Sequence, residues 1–155
     1  AKMSLMQVSR RVDYALRAAL HLASQQPDQA CSVTEISETE SVPKKFLEKI
    51  LQDLIRKGVV RSKRGAHGGY LLARPPSQIS FREIMEAVEG PLALNICVGE
   101  GDHKLCSVSS GCGMQHIWAE GQRRLVDLFS KTRLGDLALP PRLPTEILQK
   151  LPSDA

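Results

Sequence analysis

The feature that most constrains the fold is an apolar stripe with helical spacing that leads directly into a glycine-rich segment. The stripe consists of Phe46, Leu47, Ile50, Leu51, Leu54 and Ile55. Spacings of three and four residues predict a helix with one face toward a core. Ser41 is expected to cap this helix, Pro43 to stand in its first turn, and Gly58 to end it. Lys44, Lys45, Glu48 and Lys49 then fall on its other faces.

Two short alternating runs follow, at 59–64 and 70–73, on either side of a glycine-rich tip at 65–69. This pattern predicts a β-hairpin. Lys63 and Arg64 stand at its tip, where long basic side chains can reach a phosphate or a minor groove.

The segments before the stripe predict two further helices. Residues 9–24 carry apolar residues at helical spacing behind a possible Ser9 cap, and the Ser32 to Glu35 spacing is that of a capping box. The second helix is expected to run to about Glu38. Two short helices joined tightly, with the second one basic and exposed, describe a helix-turn-helix, and a hairpin directly after it is a wing.

Positive charge is concentrated on this motif. The chain has a net charge of +4, but the segment from Ser41 to Arg74 alone holds nine Lys or Arg against Glu48 and Asp53. Solvated helix faces usually mix the two signs, so a localised excess favours contact with phosphates. The pattern indicates double-stranded DNA as the partner.

The remaining chain predicts a capping box at Ser80 and Glu83, a helix to Gly90, and a long amphipathic helix at about 114–132. Aromatic residues are only 4% of the chain, which favours packed helices over a sandwich or barrel. The expected fold is mainly α with a small β-hairpin wing, a winged helix-turn-helix domain plus a long C-terminal dimerisation helix.

Four segments are expected in the chain. They are a DNA-binding domain at 6–90, a cysteine-rich sensor loop at 91–113, the dimerisation helix at 114–139 and a flexible tail at 140–155. No apolar run reaches the roughly 18 to 20 residues of a membrane span and no signal pattern opens the chain, so a cytoplasmic protein without a membrane partner is expected.

Three of the four cysteines lie in one glycine- and serine-rich loop, as Cys97, Cys106 and Cys112. Thiols so placed in a cytoplasmic protein are better interpreted as soft-metal ligands or redox sensors than as disulfides. An iron–sulfur cluster is favoured. The loop lacks the paired C-x2-C spacing of structural zinc sites. The open alternatives are a Cys₃His zinc centre with His116, a metal-free thiol switch, and cysteines without a shared role. Cys31, far from the loop, is interpreted as a small buried hydrophobic residue rather than a metal ligand.

Several motifs resemble one family of bacterial winged-helix regulators, which includes the iron–sulfur cluster regulator IscR, the nitric-oxide sensor NsrR and the cysteine-metabolism repressor CymR. The motifs are Asp13-Tyr-Ala-Leu-Arg17, the run from Val42 to Leu51, Gly58-Val-Val, the run from Arg64 to Leu72, and the three-cysteine loop before Trp118. The resemblance covers about residues 6–129.

The resemblance implies a homodimer on a palindromic operator, with the long helices crossing between subunits and a 2Fe–2S or 4Fe–4S cluster between the loop and the DNA-binding domain. It implies that Lys45 and Glu48 face bases and that Arg64 enters the minor groove. The full predicted DNA-binding set is Ser41, Lys44, Lys45, Glu48, Lys49, Lys63, Arg64, His67 and Tyr70.

The sequence departs from the family pattern at three places. The first cysteine gap has eight residues where the cluster regulators commonly have five, and His67 stands where the wing often has glycine. The histidine after the last cysteine comes one position late, as His116. Asp13 holds the position of the aspartate ligand in the nitric-oxide sensors, so Asp13 and His116 are both candidates for the fourth ligand.

An enzyme is the competing function from another class. The chain shows no phosphate loop, no dinucleotide fingerprint and no nucleophile motif with a partner, so catalysis is not expected. A repressor of transcription is the favoured function. The alternative within that class is a metal-free or zinc-bound regulator that acts through thiols or a protein partner.

Overall fold

The computed structural model describes residues 7–99 and 111–137. Its elements in chain order are α1 Arg10–Ala23, α2 Val33–Glu40, α3 Lys44–Arg56, β1 Val60–Lys63, β2 Gly69–Leu72, α4 Phe81–Glu89, α5 Gln115–Lys131 and α6 Leu134–Leu137, with a 3₁₀ turn at Pro76–Gln78. The predicted fold class is confirmed: the described chain is mainly helical, with one antiparallel hairpin and a C-terminal helix. The second helix runs two residues beyond the predicted end.

The predicted serine caps form at the starts of α1, α2 and α4, but not at α3. The Ser9 hydroxyl accepts from the backbone N–H of Val12 at 3.2 Å and begins α1. At α4 the box is reciprocal, since the Glu83 N–H donates to Ser80 Oγ at 3.1 Å and the Ser80 N–H donates to Glu83 Oε2 at 2.8 Å. Each capped terminus gives otherwise unpaired backbone donors a partner.

Glu83 also joins α4 to the chain that leaves the wing. Its other carboxylate oxygen accepts from Arg74 at 2.6 Å. Burial acts to raise the pKa of Glu83, but the Ser80 backbone N–H and the Arg74 guanidinium outweigh it, so the pKa lies below its usual value. The ionised Glu83 therefore holds both the start of α4 and the end of the hairpin.

One core lies among α1, α2, α3, α4 and α6. Its fully buried side chains include Ile36, Leu47, Ile50, Leu51, Leu54, Ile79, Ile84 and Leu134. Leu134 comes from beyond α5, because the backbone of 132–134 pairs with 79–81: the Phe81 N–H donates to Thr132 O at 2.9 Å and the Leu134 N–H donates to Ile79 O at 3.0 Å. The C-terminal end of α5 is thus tied to the start of α4, and Phe129 packs on Phe81 with ring centroids 5.2 Å apart.

Two predictions about α3 were wrong. Ser41 does not cap α3 but ends α2 in the left-handed conformation, with φ 55° and ψ 43°, and Pro43 takes the N-cap position without a side-chain bond. Phe46 was expected in the core but is 61% exposed. Because α3 begins at Lys44, Phe46 lies in the first turn, where it projects over the edge of α1 and lines a surface groove with Tyr14.

Within 7–99 and 111–137, no helix combines the length and the apolar character that a membrane crossing requires.

Candidate functional site

The outward face of α3 carries the predicted base-reading residues. Lys44, Lys45, Glu48 and Lys49 are all exposed, while the neighbouring Leu47 and Ile50 are buried. The turn between α2 and α3 is short. Within it, the Val42 N–H donates to Ser37 O at 3.1 Å and Ser37 Oγ donates to Val42 O at 2.7 Å. The buried stripe therefore fixes which side of α3 points to solvent.

The basic residues of 41–74 divide into two groups. Arg56, Arg61 and Arg74 form ion pairs with Asp53, Asp28 and Glu83, at 3.2, 2.9 and 2.6 Å. The basic residues Lys45, Lys49, Lys57 and Arg64 form no ion pair or side-chain hydrogen bond with any described residue, and the acidic Glu48 forms none either. Lys44 donates only to Thr34 Oγ1, at 3.1 Å. The uncompensated charge is thus on α3 and at the hairpin tip.

The hairpin is held in one register, with Val60 opposite Leu72 and Lys63 opposite Gly69. Its tip leaves Arg64 and His67 exposed, and Lys63 Nζ donates to the Asp28 carbonyl at 3.4 Å. The tip narrows so much that a Cβ on residue 68 would overlap the Lys63 carbonyl. Only glycine allows the tip to close in this way.

Tyr70 and Cys31 join the hairpin to the loop before α2. The Cys31 N–H donates to Tyr70 O at 2.9 Å, and the Tyr70 N–H donates to Cys31 O at 2.8 Å. A Cβ on Gly69, whose φ is 144°, would overlap the Cys31 carbonyl. The side chain of Tyr70 is half-buried. The backbone of Tyr70 therefore sets the angle between the wing and the helix-turn-helix.

Two of the three loop cysteines fall within the described residues. Cys97 and Cys112 are free thiols and half-buried, whereas Cys106 lies outside the described residues. Gln122 of α5 holds the segment before Cys97 through two hydrogen bonds. Its side-chain amide donates to Leu92 O at 2.6 Å and accepts from the Leu94 N–H at 2.8 Å. The approach is close at Gly121, where a Cβ would lie 2.9 Å from Leu94 Cδ2. Thiols held beside a helix, with a third thiol between them in the chain, have the donor chemistry that an iron–sulfur cluster uses.

The two candidates for the fourth ligand lie apart. Asp13 pairs with Arg17 at 2.9 Å on α1, and its side chain is 49% exposed. His116 is exposed in the first turn of α5. Cys112 precedes that helix, and its backbone carbonyl accepts from the Gln115 N–H at 3.2 Å. Among the described residues, neither candidate gathers with Cys97 and Cys112 into a group of three ligand atoms.

The structure does gather three metal-binding side chains elsewhere. His21, Cys31 and Glu35 place one ligand atom each within 4.8 Å of one another. Cys31 is fully buried, which confirms the prediction of a buried residue. Burial, and then the nearby Glu35 carboxylate, raise the pKa of the Cys31 thiol to about 11. The four-residue spacing of Cys31 and Glu35 was the available signal, but His21 was hidden in the apolar pattern of α1.

Comparison with known proteins decides the family. The model of the Rrf2 family, described as iron-dependent transcriptional regulators, matches residues 8–139. The chain belongs to the Rrf2 family. Its relatives include the transcriptional regulator NsrR of Bacillus subtilis, 30% identical over 132 residues that make up 85% of this chain and 90% of that protein.

Two solved Rrf2-type structures resemble the fold. CymR, the global cysteine regulator of B. subtilis, has a TM-score of 0.71 at 25% identity, with 86% of this chain and 97% of that chain covered. T. potens IscR has a TM-score of 0.68 at 26% identity, with 86% of each chain covered. As an Rrf2 protein the chain is a DNA-binding transcriptional regulator and not an enzyme.

Proposed function

We propose that this Rrf2 protein represses transcription and that an iron–sulfur cluster, held by Cys97, Cys106 and Cys112, controls its DNA binding. The observation that carries the DNA-binding part is the uncompensated group on α3 and the wing tip. Lys45, Glu48, Lys49 and Arg64 are exposed and have no ionic partner among the described residues. Charges that are already paired inside the protein have less to gain from phosphates.

The two ends of this surface have different roles. Lys44, Lys49 and Lys63 contact phosphates, together with the polar side chains of Ser41 and His67 at its edges. Lys45 and Glu48 face base edges in the major groove, where a carboxylate can accept from cytosine N4. Arg64 enters the minor groove from the wing. Tyr70, half-buried, supports the wing and reaches DNA only with its outer edge.

A homodimer is supported by the surface of α5. No residue of this helix, every one of which the structure describes, is buried, and Ile117 and Leu128 are 62% and 57% exposed. Met114, just before the helix, is 62% exposed on the same side. A second copy would cover these apolar side chains, and a two-fold dimer reads a palindromic operator.

The loop links the two surfaces. Its cysteines precede α5, and the chain returns to the core through Phe129 of α5 and Leu134 of α6. Bonds from cluster iron to thiolates would cross-link residues 97–112 and restrict a glycine- and serine-rich segment. Asp13 or His116 supplies the fourth ligand. Loss of these cross-links restores the conformational freedom of the loop and changes the spacing of the two α3 helices.

The alternative is a regulator without a cluster, acting through thiols or zinc. It is supported by the similarity to CymR. The two candidates differ in what the loop cysteines hold.

Iron and acid-labile sulfide in protein purified without oxygen distinguish them. Alanine at Cys97, Cys106 or Cys112 should each remove most of both, because every thiolate is a cluster ligand. Cys31→Ala is the matched control and should leave the sulfide content unchanged. Full iron and sulfide in all three loop variants would contradict the cluster proposal. Zinc without sulfide in the unchanged chain, lost in the loop variants but retained in Cys31→Ala, would establish the zinc form of the alternative.

A further inference from the structure

We propose that His21, Cys31 and Glu35 form a second metal site, separate from the cysteine loop, which binds Zn²⁺ or a divalent ion of similar softness. The proposal rests on the geometry of these side chains and does not depend on the cluster. It assigns a role to a histidine and a cysteine that the DNA-binding surface does not use.

The buried histidine is prepared to act as a ligand. His21 is only 8% exposed, and its Nδ1 lies 3.0 Å from Glu40 Oε1. A carboxylate at Nδ1 holds the proton there and leaves a lone pair on Nε2, which is the usual arrangement behind a metal-binding histidine. Nε2 has no hydrogen-bond partner among the described residues. A buried polar nitrogen without a partner is costly, and a metal ion would satisfy it.

The other two donors complete a zinc-type set. Cys31 Sγ is fully buried, and the atoms offered by His21, Cys31 and Glu35 lie within 4.8 Å of one another. Bonds of about 2.0 to 2.3 Å in a tetrahedron put the ligand atoms roughly 3.3 to 3.6 Å apart. Glu35 is exposed, so its side chain can turn inward and bring its carboxylate from within 4.8 Å to that shorter distance. Water from the exposed side of Glu35 would take the fourth position.

The donor types select the metal. A thiolate and an imidazole nitrogen suit zinc and similar transition ions, whereas magnesium and calcium require oxygen ligands. One cysteine among nitrogen and oxygen donors does not match the ligand set of an iron–sulfur cluster.

The position of the site connects three parts of the fold. His21 lies on α1, Glu35 on α2, and Cys31 in the loop between them. Cys31 also pairs through its backbone with Tyr70 of β2. A bound ion would therefore tie α1 and α2 to β2, beside the tip of the hairpin.

Cobalt titration of the full-length chain carrying alanine at Cys97, Cys106 and Cys112 tests the site, because Cys31 is then the only thiol. We expect one Co²⁺ per chain, with a sulfur-to-cobalt charge-transfer band and the visible bands of tetrahedral cobalt, all removed by added Zn²⁺. Absence of the charge-transfer band, in protein whose circular dichroism matches the unchanged chain, would overturn the proposal.

Single substitutions in the same background identify the ligands. C31S should abolish the charge-transfer band. E40Q should weaken cobalt binding by about 10- to 100-fold without removing the band, as expected for a group that orients a ligand. E38Q, an exposed carboxylate on the same helix, is the matched control and should bind as before. A band that survives C31S would overturn the site, and equal affinity of E40Q and E38Q would contradict the role of Glu40.

A measurement on the unchanged chain needs no variant. In a long-range ¹⁵N spectrum, the His21 Nε2 resonance should shift when Zn²⁺ is added, while the resonances of the exposed His67 should not. An unchanged His21 resonance at saturating Zn²⁺ would overturn the proposal even if the cysteine variants failed to fold.

Discussion

At the scale of single residues, the DNA surface depends on charges that the protein leaves uncompensated. Lys49 is exposed on α3 and has no ionic partner among the described residues. Lys49→Ala should therefore weaken binding to all sequences and reduce the slope of log K against log salt by roughly 0.9, the contribution of one phosphate contact. Lys131→Ala on α5, which removes a lysine paired with Asp127 at 2.7 Å, is the control and should leave the slope unchanged. An unchanged slope in Lys49→Ala would remove Lys49 from the interface.

Glu48 should affect the base preference of DNA binding and not its salt dependence. Its carboxylate is exposed beside Lys45 and is free to accept from a base. Glu48→Ala should relax the preference at one base position of each half-site by about 1 to 3 kcal/mol while leaving the salt slope intact. Selection from a random pool measures this, and an enriched motif identical to that of the unchanged protein would contradict it.

At the scale of elements, the wing depends on its contact with the loop before α2. Gly69 has a φ of 144°, and a Cβ there would overlap the Cys31 carbonyl. Gly69→Ala should lower the free energy of unfolding by about 2 kcal/mol or more, because it combines backbone strain with loss of the Cys31 and Tyr70 pairing. Gly111→Ala, where an added Cβ meets no described atom within 4 Å, should change it by less than about 0.5 kcal/mol. Equal unfolding midpoints in urea would show that the contact does not hold the wing.

The elements that the sequence predicted are those with local signals. Ser9 and the Ser80 and Glu83 pair act through residues three positions apart, so their hydrogen bonds could be predicted and are present. The assignment of Phe46 to the core was wrong. Periodicity predicts which face of α3 is apolar, but it does not predict how much of that face a neighbouring helix covers. Ser41 does not cap α3, because Ser41 itself ends α2 in the left-handed conformation. Composition alone does not indicate that conformation.

The candidate sites also differ in whether local sequence signals or tertiary packing bring their residues together. The basic face of α3 is a local property and was predicted from residue spacing. The group of His21, Cys31 and Glu35 comes from two helices and the loop between them, so only the tertiary packing brings it together. Cys106 lies outside the described residues, and its place in a cluster stays a prediction.

At the scale of the whole molecule, α5 should join two copies. Leu128 is 57% exposed on the apolar side of this helix. Leu128→Glu should shift the protein toward monomers in sedimentation velocity, because it places a charge in the apolar interface. Ala119 lies about 200° round the helix from Ile117, at roughly 100° per residue, so Ala119→Glu is the control. A Leu128→Glu protein that remains as dimeric as Ala119→Glu would place the interface elsewhere.

We expect the state of the cysteine loop to control DNA binding through α3 and the wing. An anaerobic anisotropy titration tests it, using a labelled operator selected from a random pool and measured at one salt concentration with cluster-loaded and cluster-free protein. We expect the two affinities to differ by about 5- to 150-fold, the usual range for coupling between two sites. The Cys112→Ala protein should follow the cluster-free curve. Superimposed curves for the loaded and cluster-free forms would contradict the account.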